Sequence, residues 1–157
     1  MPKIDIRPYA HDDRDTLISI FRNAVRIIAR RDYSEAQVMA WAPDDIDAAE
    51  FGRRRTAKPT LVAEISGAPA GFTDLAPHGH IDMLFVDPVH RGQGVARALL
   101  ETVEAMARAQ GIARLTTDAS ITGKPIFERH GFTVVTGQTV TRNGQQLNNY
   151  RMEKTLD

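Results

Sequence analysis

At 157 residues, with 42% hydrophobic and 25% charged residues, the chain has the size and composition of an ordinary soluble domain with its own core, and a single domain over residues 1–157 is expected. Twenty Lys and Arg balance twenty Asp and Glu, which removes any global field for nucleic acid or an anionic membrane. Without cysteine there can be no disulfide, thiolate metal site or cysteine acyl intermediate; with no secretory leader pattern and no apolar run of about 18 residues, a cytoplasmic location is expected.

Ile4-Asp5-Ile6-Arg7-Pro8 alternates and stops at proline, as a first strand would, and His11-Asp12-Asp13 offers caps for the helix that follows. Along that helix Leu17, Ile20, Phe21, Ala24, Val25 and Ile28 recur three and four apart, giving one buried stripe. Ser34 and Gln37 have the spacing of a capping box for a short helix carrying Val38, Met39 and Trp41 and ended by Pro43. Asp44-Asp45 starts another helix towards Arg53-Arg54-Arg55, a run that reads as a solvated helix face rather than a nucleic-acid site. Thr60–Ile65 and Ala70–Leu75 read as strands flanking the turn Ser66-Gly67-Ala68-Pro69, and a third strand runs from His80 to Val86. From Val95, residues Leu99, Leu100, Val103, Met106 and Ala107 form the apolar face of a long helix closed by Gly111. Ile112–Asp118 is strand-like, Lys124–Arg129 is a short helix ended by Gly131, and two last strands meet at Asn143-Gly144, a strong hairpin signal.

Between the third strand and the long helix lies His90-Arg91-Gly92-Gln93-Gly94-Val95-Ala96-Arg97. Glycines let the backbone approach a bulky anion, and the unpaired amides of a first helical turn supply donors at the positive end of the helix dipole. A P-loop would carry Gly-Lys-Ser/Thr, and Gly94-Val95-Ala96 has neither lysine nor hydroxyl. A Rossmann fingerprint belongs in a parallel unit near the start of a domain, whereas this turn follows an apparent antiparallel meander. What remains is a diphosphate held by backbone amides, with Arg91 and Arg97 adding charge.

Arg91, Gly94 and Ala96 fill the signature of Gln or Arg, two free positions, Gly, one free position, then Gly or Ala, and here the chain resembles the GNAT-type N-acetyltransferase superfamily. Ile81, Leu84, Val86 and Pro88 look like that family's fourth strand, and Gly131-Phe132 matches the end of its last helix. The resemblance implies an α+β fold: a mixed, mostly antiparallel sheet of about seven strands, flanked by about four to five helices and splayed between the fourth and fifth strands. It implies acetyl-CoA as cosubstrate and no metal, the diphosphate on the amides of Gln93, Gly94, Val95 and Ala96 with Gly92 in the same cofactor-binding turn, and the pantetheine arm beside Leu84, Phe85 and Val86. The acceptor would be a primary amine of a small molecule or peptide, acetylated directly in a ternary complex by a monomer or homodimer.

The chemistry needs a neutral amine and a positioned thioester, and the departing thiol has a pKa of about 8.5. His80 immediately precedes the signature strand, where many members of the family carry a glutamate base, and an imidazole can accept a proton or relay one through water. Period two places His80 and Asp82 on one strand face, where Asp82 would orient the ring or hold a cationic acceptor. Phe127 departs from the family: a tyrosine is common there as general acid, seven residues after an asparagine, and this chain has Phe127 and Ser120. Either water protonates the sulfur or another donor, Tyr150 or Tyr33, stands in. Ser120 either bonds the pantetheine arm or caps the helix after it. Tyr33, Met39 and Trp41 fall in the helices that roof the acceptor pocket in resembling proteins, and Lys124 and His130 are placed to meet the nucleotide phosphate. Two other readings compete: an acyl-CoA-binding sensor without catalysis, and a metal site from His78, His80 and Asp82, which an extended strand would hold about 6.5–7 Å apart.

Overall fold

Residues 2–157 are described by the computed structural model, and their elements follow the expected order. β1 (Ile4–Pro8) leads through a 3₁₀ turn to α1 (Arg14–Asn23), which continues as one π turn, Ala24–Ile28, and a further 3₁₀ turn. The helices α2 (Glu35–Trp41) and α3 (Ala48–Thr56) complete the first layer. Ser34 Oγ accepts the Gln37 amide at 3.1 Å and Gln37 Oε1 accepts the Ser34 amide at 2.8 Å, the expected reciprocal cap. α3 starts later than expected because Asp47, not Asp44 or Asp45, accepts an amide of its first turn, that of Glu50 at 3.1 Å.

The strands are β2 (Thr60–Ile65), β3 (Ala68–Asp74), β4 (His80–Ile81), β5 (Leu84–Val86), β6 (Arg114–Ser120), β7 (Thr133–Arg142) and β8 (Gln145–Thr155), with α4 (Val95–Ala109) and α5 (Lys124–Arg129) on either side of β6 in the chain. They form two four-stranded sheets, β1-β2-β3-β5 and β4-β6-β8-β7, in which the β4–β6 pair is parallel and the rest antiparallel.

The continuous strand expected from His80 to Val86 is therefore broken. His80 and Ile81 pair with Thr116 and Thr117, whereas Leu84, Phe85 and Val86 pair with Thr73, Phe72 and Gly71 in the other sheet. Side chains take over the backbone groups at the break: Asp74 accepts the Asp82 amide at 2.8 Å, Thr73 Oγ1 donates to the Met83 carbonyl at 2.8 Å, and Thr117 Oγ1 donates to the Ile81 carbonyl at 2.8 Å. The parting of the sheets is thus built by polar side chains of β3 and β6.

Apolar residues fill both sides. Leu99, Leu100, Val103 and Ala107 of α4 pack on Leu61, Ile81, Leu115 and Met152, while Leu17, Phe21, Val25 and Phe51 pack on Val62, Phe72 and Leu147. Gly71 permits the tight approach of β3, β5 and α4, since a Cβ there would lie 2.8 Å from both the Phe85 carbonyl oxygen and Val95 Cγ1. Among the described residues no helix is long and apolar enough to cross a membrane.

Candidate active site

The start of α4 opens onto a groove of about 530 Å³ lined by Leu84, Phe85 and Val86 on one wall and by Pro125, Ile126, Arg129 and His130 on another. Gly94 caps the helix with φ 87° and Gly92 precedes it with φ 77°, both in the left-handed region that favours glycine. The first bond into the helix runs from the Ala98 amide to the Gly94 carbonyl, so the amides just before it have no helical carbonyl to bond and face the groove. Arg91 and Arg97 stand beside these amides, Arg31 and Arg129 complete a basic rim, and Arg97 also bonds Glu101 at 2.8 Å. Gln93 is braced by His90, whose Nδ1 lies 3.1 Å from its Oε1. Free amides, two left-handed glycines and a basic rim fit a diphosphate. Lys124 is elsewhere: its Nζ lies 5.1 Å from the centroid of the Tyr150 ring and 3.8 Å from Glu128, drawn there by the ring face and the carboxylate rather than by the groove.

A second cleft of about 390 Å³ meets this groove at Trp41, Leu84, Phe85, Ser120 and Gly123. Its wall is aromatic, with Phe21 edge-on to Phe85 at 4.9 Å, Tyr33 to Trp41 at 5.7 Å and Trp41 to Phe85 at 6.1 Å. Tyr33 is buried, and its hydroxyl donates to the Asn148 carbonyl and accepts the Ile121 amide at 2.9 Å, tying the helical roof to the turn before α5. Burial pushes its phenol up, and the Ile121 bond only partly opposes this. Met39 is half-buried and lines neither cavity. Phe127 lines the second cleft and packs edge-on against Phe132 at 5.1 Å. Ser120 Oγ accepts the Gly123 amide at 2.8 Å, so it caps the turn before α5 and still keeps a hydroxyl proton at the junction of the two cavities.

The break after Ile81 separates His80 from Asp82. His80 lies over β6, with Nδ1 2.9 Å from Thr116 Oγ1 and Nε2 3.8 Å from Asp118, in a hollow shared with His78, Arg114 and Arg151. Burial pulls its pKa down against the carboxylates of Asp118 and Asp82, which favours a neutral ring able to accept a proton. Asp82 instead lines the second cleft, with its carboxylate 3.7 Å from Lys58 and 3.9 Å from Arg55. The expected sharing of one face by these two residues is corrected accordingly: they are on opposite sides of a switch between sheets. The same break undoes the spacing of a His78, His80 and Asp82 metal site, and among the described residues no three His, Asp or Glu side chains are gathered closely enough to hold an ion. His78 stacks on His80 with ring centroids 6.3 Å apart.

Three further expectations need adjustment or addition. Arg55, read as solvated with its neighbours, is buried and bonds the buried Asp74 at 3.1 Å, because the last turn of α3 lies against the end of β3. Tyr150 neighbours Asn149 on β8 and so points to the opposite face, lining neither cavity. Asp118, Arg142 and Asn149 also line the second cleft and were not anticipated. Alternation along β6 links Asp118 with Ser120, but only the register of β8, which sets Asn149 opposite Ser120, adds the third.

A sheet parted at its centre, a groove lined by the start of a helix and a second cleft opening beside it make up an α+β fold built around two joined cavities. A family model described as an acetyltransferase (GNAT) domain matches residues 29–154, and the chain belongs to that family and is an acyltransferase. It is 40% identical over 152 residues to an uncharacterized N-acetyltransferase, YafP, of Escherichia coli K12, covering 97% of this chain and 96% of the relative. It is similar to a solved GCN5-related N-acetyltransferase from Rhodopseudomonas palustris, with 36% identity, a TM-score of 0.96 and coverage of 99% and 98% of the two chains. The fold is shared with a Thermoplasma acidophilum N-acetyltransferase crystallised with coenzyme A, at 20% identity, a TM-score of 0.81 and coverage of 98% and 99%.

Proposed function

We propose that the protein transfers an acetyl group from acetyl-CoA directly to a primary amine of a small molecule or peptide, in a ternary complex. The observation that carries this reading is the junction of the two cavities at Leu84, Phe85, Ser120, Gly123 and Trp41, where a groove suited to a nucleotide diphosphate meets a cleft suited to an acceptor. Proteins of the same fold solved with coenzyme A and with acetyl-CoA support the choice of carrier. When bound, it supplies an activated acyl group as a thioester.

The amides of Gln93, Gly94, Val95 and Ala96, with Gly92 giving backbone access and Arg91 and Arg97 giving charge, hold the diphosphate. The outer edge of β5, at Leu84, Phe85 and Val86, pairs with the amide-bearing arm, since β5 is the last strand of its sheet. Tyr33 and Trp41 wall the acceptor cleft, and Asp82 draws in the cationic amine. In the reaction the bound ammonium first gives one proton to water, the neutral nitrogen forms a bond to the acyl carbon, the carbon–sulfur bond breaks with its electron pair on sulfur, and a second proton leaves the nitrogen. Asp118 borders the cleft and lies 3.8 Å from His80, so we assign the proton to His80 through Asp118 or a water beside it. Phe127 has no proton to give, Tyr150 faces away, the Tyr33 hydroxyl donates to the Asn148 carbonyl and the Ser120 hydroxyl bonds the pantetheine arm, so the sulfur takes its proton from solvent, as a thiolate with a pKa of about 8.5 can.

The test is calorimetry with acetyl-CoA, followed by release of free thiol in the presence of amines of several classes. Binding together with amine-dependent thiol release is expected; absence of acetyl-CoA binding overturns the proposal.

A further inference from the structure

The floor of the acceptor cleft is made by the β7–β8 hairpin, whose paired residues share a face: Gln138 opposite Asn149, Val140 opposite Leu147, Arg142 opposite Gln145. Asn149, Val140, Leu147 and Arg142 all line the cleft, so its floor is polar at the inner end, apolar in the middle and cationic at the outer end.

Each end has an unmet valence. Asn149 is only 9% exposed, and its Oδ1 has no hydrogen-bond partner among the described residues. Buried amide oxygens are almost always bonded, and a half-turn of the amide brings this one to the cleft wall, where a primary amine is a donor for it. Asp82, a half-exposed carboxylate of the same cleft, shares one oxygen with Lys58 and Arg55 at 3.7 and 3.9 Å and keeps the other for an ammonium group. At the other end, Arg54 is held by Glu50 at 2.9 Å, whereas Arg142 has no carboxylate within salt-bridge distance among the described residues. The rungs of Asn149 and Arg142 are four residues apart along β8, about 14 Å at about 3.4 Å per residue, and the two side chains shorten that gap from both ends. What remains between them is bounded by Val140, Leu147 and the rings of Trp41 and Phe85.

We propose that the acceptor is an amine separated from an anionic oxygen group, carboxylate or phosphate, by a flat apolar body about one ring long, with Asn149 and Asp82 taking the nitrogen and Arg142 the anion. This rests on the acetyl-transfer reading and narrows its substrate. An α-amino acid, with amine and carboxylate on one carbon, does not span the two ends.

The test compares para-aminomethylbenzoate, its phosphonate counterpart, para-aminomethylbenzamide and benzylamine as acceptors with acetyl-CoA, read as free thiol, in the full chain and in R142Q. At least one anionic probe is expected to exceed the benzamide and benzylamine in kcat/KM by about tenfold or more, and R142Q to reduce that ratio to within about twofold. Whether carboxylate or phosphonate leads tells which anion the site takes. Equal rates for all probes, no acetylation of any, or an unchanged ratio in R142Q overturns the acceptor class. Calorimetry separates this failure from that of the parent reading: acetyl-CoA binding without discrimination leaves acetyl transfer standing, and no acetyl-CoA binding ends both.

Discussion

Asp74 accepts the guanidinium of Arg55 at 3.1 Å with one carboxylate oxygen and the backbone amides of Asp82 and Met83, at 2.8 and 3.4 Å, with the other. Both side chains are shut off from solvent, so the pair is an internal peg at the point where the chain leaves one sheet for the other. Burial pushes the Asp74 carboxyl up, opposed by the Asp82 amide and by the charges of Lys58 and Arg55. Breaking one side of a buried ion pair strands the other charge. Asp74→Ala is therefore expected to cost about 3–5 kcal/mol in urea unfolding. The double variant R55M/D74L recovers most of that stability, because apolar replacements of similar volume are often neutral, but its acetyl-transfer rate stays low because the amides of residues 82 and 83 have lost their acceptor. Full recovery of the rate would show that the peg serves stability alone.

Gly94 separates a backbone effect from a charge effect. With φ at 87°, any side chain costs about 1–2 kcal/mol of backbone strain, which Gly94→Ala should show in unfolding. Gly94→Glu adds a negative charge beside the helix start, and its acetyl-CoA Kd in calorimetry should rise about tenfold beyond that of Gly94→Ala.

His80 carries two pH signatures. Its native pKa is below the ordinary value of 6.5, chiefly through burial, so between the two values the unfolded chain binds more protons and stability rises with pH. Unfolding free energy should thus fall as pH drops through about 6.5, and His80→Gln should flatten that slope in denaturant titrations at several pH values. As proton acceptor, His80 also predicts that His80→Ala lowers kcat about 100-fold with little change in acetyl-CoA Kd. An unchanged kcat would remove it from the reaction.

Tyr33 joins the roof to the floor through one hydroxyl. Tyr33→Phe leaves the Asn148 carbonyl and the Ile121 amide without that partner, a loss of about 1–3 kcal/mol, which lowers Tm by about 3 °C per kcal/mol in a chain of this size. Because the bond braces the acceptor cleft, KM for the amine should rise more than KM for acetyl-CoA.

What could be read from the sequence was local. The Ser34 and Gln37 cap, the Asn143-Gly144 turn and the spacing of Arg91, Gly94 and Ala96 each depend on residues a few positions apart, and each leads to the element found. The break at Asp82-Met83 was hidden because its cause lies on β3, β6 and α3, while residues 80–86 alone show an unbroken strand pattern. Arg55 looked like its exposed neighbours Arg53 and Arg54, since nothing in a run of arginines says which one meets a buried carboxylate. Asn149 and Arg142 acquired their places only through the register of the last hairpin.

The segment from His80 to Val86 is a covalent bridge between two sheets that are otherwise separately hydrogen-bonded. Two residues, Asp82 and Met83, span the gap, so the jaws cannot slide apart or clamp shut without distorting main chain that the Asp74 peg holds. The opening therefore behaves as a fixed gauge. Opposite this rigid frame the α1–α2 canopy carries the π turn at Ala24–Ile28, a departure from regular winding among the residues that line the groove.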